Sequence, residues 1–495
     1  MTAERLAGLT HRDADWQGLR VVVGGVGVSG FAAADALLER GAEVTVVDGA
    51  QPAPGSTAAE RAKILDILGA RLVLGPGASD RMPEGPVPDV VVTSPGWSPA
   101  QPLLAQAAVA GIPIWGEVEL AWRMRPAVGA APWLTITGTN GKTTTVKMLE
   151  SILRAAGLRT TAAGNVGTPI IEAVLHPQPY DVIAVELSSF QLHWSSSLEP
   201  QASACLNIAP DHVDWHGSVG EYARAKGKVY ANTEIACVYN VEDEQTMHLV
   251  EEAEVQEGCR AIGFTLGVPG PSMLGLVDDV LADRAFVEER RTSAAELCTL
   301  ADLRGEGPPV APHVVANALA AAALARAHGV PAAAVREGLR AFRPDPHRIA
   351  EVATVDGVRF VNDSKATNPH AAQASLTAYE HVVWVAGGLL KGADVDGLVA
   401  AVAGRLRGVV LIGRDRAQVA EALARHAPDV PVVDIERTDT GAMDVVVARA
   451  AGLAEPGDVV LLAPAAASMD MFTNYAARGD AFAAAVLRYA GPAEG

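Results

Sequence analysis

The stretch TGTNGKTTT, Thr137 to Thr145, decides how this 495-residue chain is read. It follows the apolar run WLTIT, Trp133 to Thr137, and runs into the helical pattern VKMLESILRAAG. A strand, a glycine turn and a helix in that order bring backbone N–H groups and the positive end of a helix dipole to where phosphate oxygens bind. Lys142 adds a point charge and Thr143 a hydroxyl suited to Mg²⁺, so the stretch reads as the phosphate loop of an ATP- or GTP-binding domain. Its spacing, Gly138-Thr139-Asn140-Gly141-Lys142-Thr143-Thr144, is shorter than the general G-x-x-x-x-G-K-[ST], so the reading rests on the strand, loop and helix around it.

Outward from the loop, short Val-rich runs alternate with amphipathic segments. Toward the N-terminus these are LRVVVGG, a helix from Ser29 to Arg40, EVTVVD, a helix across Ala58 to Leu68, ARLVLG and DVVVTS. The aperiodic RPAVGAAP, Arg125 to Pro132, separates them from the loop's own block, giving a first domain over 1–130. Toward the C-terminus DVIAVELSS, SACLNIA and EIACVYN continue the alternation, which breaks between about Phe264 and Pro312 in a way that predicts antiparallel strands. Helices return at Pro312 to Ala327 and Ala332 to Ala341, closing a second domain over 131–342. After the proline-rich FRPDPHR, Phe342 to Arg348, the runs HVVWVAG, GVVLIG and DVVLLAP form a third domain, 343–495. The expected fold is α/β throughout: two Rossmann-like domains flanking a central ATPase domain with a parallel sheet and an antiparallel insertion. The Ala-rich helices read as composition bias.

Composition excludes several classes. Lys+Arg 39 against Asp+Glu 58 gives a net charge of -19 without a basic cluster, which disfavours nucleic acid and anionic membrane. Runs such as VAGGLL and VVLLAPAAA are far shorter than the roughly 20 residues of a membrane span, and MTAERLAGLTHRDADW lacks the apolar core of a signal peptide. Cys205, Cys237, Cys259 and Cys298 show no CxxC spacing, so reduced thiols in a cytoplasmic protein are expected.

Mg²⁺ beside a nucleotide takes hard oxygen ligands. Glu186 ends the apolar run DVIAVE, with Ser188, Ser189 and Gln191 after it, and LNIAPDHVDWHGS gathers Asp211, His212, Asp214 and His216. Lys226 and Lys228, in EYARAKGKVYA, read as surface lysines on residue type alone. Gly25, Gly27 and Gly30 form G-x-G-x-x-G between a strand and a helix, and Asp48 ends the next strand, so the first 50 residues in isolation fit a dinucleotide fold. A phosphate loop in a different domain has no part in hydride transfer, and the same glycines can cradle a uridine diphosphate.

TGTNGKTTT, ELSSFQL, LNIAPDHVDWHGS, YARAKGKVY, HVVANALAAA, DPHR and NDSKATNP follow one another in this order, and together they resemble the Mur ligases, ATP-dependent amide-forming enzymes of peptidoglycan assembly. The resemblance spans essentially the whole chain. GVGVSG, NDSKATNP and PAAASMDMFTNYAARG are similar to the branch that adds D-glutamate to UDP-N-acetylmuramoyl-L-alanine, acting as a cytoplasmic monomer; the alternative is another Mur-type or folylpolyglutamate-type amino-acid ligase. The resemblance implies ATP and two Mg²⁺ sites. By it, Gly138 to Thr144 with Asn317, Arg348 and Asp363 bind the nucleotide, and Thr143, Glu186, His212 and a carbamylated Lys226 hold the metals. Lys142, Lys226, His212 and Lys365 are then the catalytic set, Lys365 on the transferring phosphoryl group. Gly27, Val28, Ser29, Ser94, Gly96 and Asn165 would meet the UDP-muramoyl substrate, and Thr367, Lys391, Ser468, Met469 and Tyr475 the D-glutamate. After Asp48 the chain reads GAQ where the family has a threonine-arginine pair, and the segment between His216 and Tyr222 is one residue shorter than the family pattern.

Overall fold

The computed structural model describes residues 2–305, 310–343, 347–437 and 441–491. The middle of the FRPDPHR segment, 344–346, therefore lies outside the described residues. The chain forms two compact units, Met1–Phe342 and Arg343–Gly495, and three sheets give it three α/β domains, two of them in the first unit.

The first sheet takes β1 (Arg20–Gly24), β2 (Glu43–Asp48), β3 (Arg71–Leu74), β4 (Val90–Thr93) and β5 (Ile114–Gly116), all parallel, in the order β3-β2-β1-β4-β5. The order reverses at β1, and ligands of such sheets bind beyond the strand ends at that switch point. Val21, Val23, Val44, Val46, Val90 and Val92 fill one face, which is why these runs read as Val-rich.

The second sheet begins with β6 (Trp133–Thr137), β7 (Thr160–Gly164), β8 (Val182–Glu186), β9 (Ala202–Cys205), β10 (Ala236–Asn240) and β11 (Arg260–Phe264). It continues through β12 (Met273–Val277), β13 (Val280–Asp283) and β14 (Ala295–Thr299), in the order β14-β13-β12-β11-β10-β9-β6-β8-β7. Pairing is parallel from β7 to β12 and antiparallel from β12 to β14, so the expected antiparallel strands extend the edge of the parallel sheet. The helix Pro312–Ala327 is buried at Val315 and along nearly all of 317–327. A helix apolar on every side is a core helix, so the alanines that read as compositional bias are a packing requirement. They let it lie close to the sheet.

Helix Lys142–Ala155, which opens at the phosphate loop, packs against helix Ala332–Ala341. A Cβ on Gly338 would lie 2.3 Å from the Ile152 Cα, and the Ser151 hydroxyl donates to the Gly338 carbonyl at 2.7 Å. Backbone meets backbone there and neither side can yield. Gly338→Ala is expected to cost about 3 kcal/mol, the upper range for overpacked cores. Urea unfolding checks this, and an unchanged midpoint would show that the two helices part freely.

The second unit carries β15 (Ala350–Val355), β16 (Val358–Asn362), β17 (Val382–Ala386), β18 (Leu406–Leu411), β19 (Val432–Asp434) and β20 (Val459–Leu462), in the order β15-β16-β20-β17-β18-β19. All pairs are parallel except the β15–β16 hairpin. Trp384 is fully buried on β17, its indole N–H donating to the Ala463 carbonyl at 2.7 Å. Among the described residues no helix is long and apolar enough to cross a membrane.

Candidate active site

The phosphate loop is built as the sequence requires. Gly138 (φ 149) and Gly141 (φ 84) adopt backbone conformations that disfavour side chains, and a Cβ on Gly141 would lie 2.3 Å from the Asn317 Oδ1. Asn317, buried on helix Pro312–Ala327, therefore abuts the loop it was expected to serve. Asn207 braces the other side: its Oδ1 accepts from the Asn140 N–H at 2.8 Å, its Nδ2 donates to the Asn140 carbonyl at 3.1 Å, and its carbonyl accepts from the Thr139 N–H. Thr139 shares a 3.0 Å hydrogen bond with the Tyr222 hydroxyl. Thr143 is buried in the first turn of the helix.

Two lysine side-chain nitrogens meet on this loop. Lys142 Nζ donates to the carbonyls of Gly138 and Thr139, both at 2.9 Å, and Lys226 Nζ donates to the Gly138 carbonyl at 2.8 Å. Lys226 is 2% exposed; burial, then the neighbouring Lys142, holds its amine well below the ordinary lysine value. Lys228 turns away to the His193 carbonyl at 2.9 Å. The two lysines of the phrase, equivalent as residue types, are thus separated by the helix: only Lys226 faces the loop.

Glu186, 1% exposed at the end of β8, accepts from Asn165 Nδ2 on Oε1 at 2.9 Å, while its main-chain carbonyl accepts the Asn165 N–H at 2.8 Å. Its Oε2 is buried and receives no hydrogen bond. A buried carboxylate oxygen with spare capacity suits Mg²⁺, which takes hard oxygen donors. His212 has left-handed backbone (φ 51), caps the short helix Val213–His216 and packs edge-on against Phe190 with ring centroids 4.7 Å apart. His216 Nε2 pairs with the Ser189 hydroxyl at 2.9 Å, and burial pulls its imidazole down to about 4. Ser188 and Gln191 form a capping box on helix Ser189–His193, and Asp214 is exposed, so these polar residues serve the local backbone or solvent. Among the described residues no three His, Cys, Asp or Glu side chains converge as a ready-made metal cage.

In the first sheet, Gly30 packs against the Gly25 carbonyl, 2.0 Å from where a Cβ would sit, and the Ser94 hydroxyl donates to the Gly24 carbonyl at 2.6 Å. Gly27 caps helix Val28–Leu38 without a side chain of its own, Val28 is half exposed, the Ser29 hydroxyl bonds Glu117, and Gly96 faces open space. Asp48 spends its carboxylate internally, accepting the Val26 N–H on Oδ2 and the Ala50 N–H on Oδ1, both at 2.9 Å. Both carboxylate oxygens are thus held by the local backbone at the end of β2.

In the second unit, three phrases collect beyond the C-terminal ends of β16, β17 and β20. Leu389 and Ala467 form an antiparallel bridge, and Ala465 N–H donates to the Ala366 carbonyl at 2.9 Å. The loops bearing Thr367, Lys391 and Ser468 are thereby brought together; Ser468 is buried, whereas Lys391 is exposed and Met469 is 64% exposed. Lys365 Nζ donates to the Tyr475 hydroxyl at 3.1 Å and sits over its ring. Asp363 is buried, and burial pushes its carboxyl up to about 6, against the Ser375 hydroxyl that donates to it and the charge of Arg348. The sequence reading passed over Arg478. Fully buried, it donates to the Ser364 hydroxyl (3.0 Å), the Ser364 carbonyl (2.8 Å) and the Ala466 carbonyl (3.0 Å), clamping two of these loops. Asn207 and Tyr222 lie within LNIAPDHVDWHGS and YARAKGKVY, where residue type alone does not mark them.

A nucleotide loop in a parallel sheet, flanked by two further α/β domains, defines a nucleotide-using enzyme of the multidomain α/β class. Residues 19–116 match the Mur ligase MurD-like N-terminal domain, 136–325 the Mur ligase middle domain and 347–466 the Mur ligase glutamate ligase domain. The chain belongs to the Mur ligase family. It is 62% identical to the UDP-N-acetylmuramoylalanine–D-glutamate ligase of Streptomyces avermitilis, over 95% of this chain and 98% of that protein. It is 59% identical to the ligase of the same name from Thermobifida fusca, over 96% and 99%. The fold is shared with the UDP-N-acetylmuramate-alanine ligase of Thermotoga maritima (TM-score 0.54, 19% identity, 95% of this chain and 99% of that one). It is shared also with a pseudomurein peptide ligase type C of Methanothermus fervidus (TM-score 0.55, 17% identity, 90% and 96%).

Proposed function

We propose that the chain joins D-glutamate to UDP-N-acetylmuramoyl-L-alanine with cleavage of ATP to ADP and phosphate, a step of peptidoglycan precursor synthesis in the cytoplasm. Full-length identity above one half to ligases of that name is the observation that carries this reading. The substrate carboxylate attacks the γ-phosphorus of ATP, the O–P bond to ADP breaks, and an acyl phosphate results. The D-glutamate amine then attacks the acyl carbon, phosphate leaves and the amide remains. Mg²⁺, when bound, neutralises charge on the phosphoryl oxygens.

The chain's own residues do the positioning. The N–H groups of Gly138 to Thr144 receive the phosphates, with Lys142 as the mobile cation. Thr143, Glu186, His212 and Lys226 as a carbamate are the residues assigned to two metal sites. The orphaned Glu186 Oε2 supports this set, and Asn165, fixed by Glu186, is assigned to the muramoyl substrate. Lys365, Asp363, Asn317 and Arg348 are assigned to ATP, and Thr367, Lys391, Ser468, Met469 and Tyr475 to D-glutamate. A dicarboxylate needs a cation, and Lys391, exposed on its loop, provides it, with the buried Ser468 hydroxyl as a further donor.

A phosphate-release assay over UDP-muramoyl acceptors and amino acids tests the assignment. D-Glutamate with UDP-N-acetylmuramoyl-L-alanine should yield ADP, phosphate and product in equal amounts. L-Glutamate, L-lysine and meso-diaminopimelate should be poor substrates. Turnover with one of these and none with D-glutamate would refute the amino-acid assignment while keeping the family.

A further inference from the structure

The four cysteines are all free thiols, but they are not equivalent. Cys237 lies on β10 and Cys259 one residue before β11, its parallel neighbour, so 22 residues of sequence are folded back until the two Sγ atoms are 3.8 Å apart. Main-chain hydrogen bonding fixes the approach from both sides: the Arg260 N–H donates to the Ile235 carbonyl at 3.0 Å, and Cys237 pairs in register with Ala261. Cys237 is 2% exposed, whereas Cys259 is half-buried. Cys205 and Cys298 are fully buried on β9 and β14, where burial pushes both thiols up to about 12.

We propose that Cys237 and Cys259 form a reversible thiol–disulfide site, oxidised by hydroperoxides entering at Cys259. The Cys259 thiolate attacks the distal peroxide oxygen: an S–O bond forms, the O–O bond breaks, and the leaving oxygen departs as water or an alcohol after taking a proton. The Cys237 sulfur then attacks the Cys259 sulfur. The S–S bond forms, the S–O bond breaks, and hydroxide carries off the Cys237 proton as water. The two thiols together lose two electrons and two hydrogens, and the hydroperoxide is reduced. Roles divide by environment: hydrogen bonding from Cys237 holds the Cys259 thiol below its ordinary value, with the Arg260 and Cys237 N–H groups assisting. The same hydrogen bond and burial push the Cys237 thiol up; Cys237 is 2% exposed and Cys259 half-buried, so Cys259 is the attacking group and Cys237 the resolving one.

The closed loop, 238–258, is tied to the phosphate-loop brace. Asp243 caps helix Glu244–Glu251 and its Oδ2 accepts the Ile208 N–H at 2.8 Å; Asn240 Nδ2 donates to the Leu206 carbonyl at 3.1 Å. Both contacts flank Asn207. A disulfide here constrains the unfolded chain and holds the strand pair that carries these contacts.

The test uses the full-length protein, treated with hydrogen peroxide under native conditions, alkylated and mapped by peptide mass. The expected product is one cross-linked peptide joining Cys237 to Cys259, two hydrogens lighter than the reduced pair and restored by dithiothreitol. Cys205 and Cys298 should stay alkylatable after unfolding. The oxidised protein should unfold several degrees higher, in the range a staple of this loop length gives. In Cys237→Ser, Cys259 should stop at the sulfenic acid, trapped by dimedone, and the rise in midpoint should vanish. Oxidation of wild-type Cys259 to sulfinic acid without any cross-link, or a cross-link through Cys205 or Cys298, would overturn the proposal. Because the reading is taken on wild-type protein, a poorly folding variant does not leave it undecided, and it stands or falls independently of which amino acid the enzyme adds.

Discussion

Lys226→Ala should reduce turnover roughly 1000-fold or more, the upper scale for losing one preorganised electrostatic group, and formate or acetate should restore part of it. The side chain is fully buried with its Nζ on the Gly138 carbonyl, and burial together with Lys142 favours the uncharged amine. An uncharged amine is the form that adds to CO₂: the N–C bond forms, one proton leaves, and a carbamate anion replaces a neutral amine. That change sets an anion beside the Lys142 cation on one loop, where two ammonium groups would repel. A small carboxylate diffusing into the space left by Lys226→Ala supplies the same charge, which a merely misfolded variant would not exploit. Lys228→Ala is the control. Its ammonium serves the His193 carbonyl at the surface, so turnover should stay within about twofold, as for most surface substitutions. If Lys228→Ala is the inactive variant and answers to carboxylate, the phrase has been read two residues out of register.

Much of this was legible in the residues because it depends on local order. The phosphate loop shows itself through a strand, two glycines and a helix start, and the helices Pro312–Ala327 and Ala332–Ala341 run between the limits their sequence suggests. What was not legible depends on partners distant in sequence. β7, TTAAG, has small side chains and no Val-rich signature, and is a strand because β8 pairs with it. The hairpin β15–β16 follows prolines that read as linker. Lys226 and Lys228 differ only by the face of the helix they occupy. Asp48 ends its strand as a ribose ligand would, and only the structure shows its oxygens bonded to the Val26 and Ala50 N–H groups. Arg478 is the extreme case: a fully buried arginine has no sequence signature, since acceptors on separate loops, the Ser364 hydroxyl and the Ser364 and Ala466 carbonyls, make its burial tolerable. Cys237 and Cys259 meet only because β10 and β11 are parallel neighbours.

Lys142→Ala should lower kcat about 100-fold or more, on the scale of one lost charge-stabilising donor, with a smaller effect on the apparent affinity for ATP. The ammonium is held by the Gly138 and Thr139 carbonyls on the phosphate loop itself, contacts that phosphate oxygens can replace. Ground-state binding by the loop's N–H groups survives the substitution; the charge that follows the transferring phosphoryl group does not. The loss has a second component that a simple donor deletion lacks. Lys142 is the main charged neighbour depressing Lys226, second only to burial. Removing it raises the Lys226 amine toward its ordinary value and also removes the cation that a carbamate would face. Both changes oppose carbamylation, because the protonated amine cannot add CO₂ and the anion loses its partner. Bicarbonate should therefore raise the turnover of Lys142→Ala by a larger factor than that of the unaltered enzyme, at fixed pH and ionic strength. Equal factors in the two proteins would break the link between the lysines and leave Lys142 acting on the phosphoryl group alone, and an unchanged kcat would remove even that role.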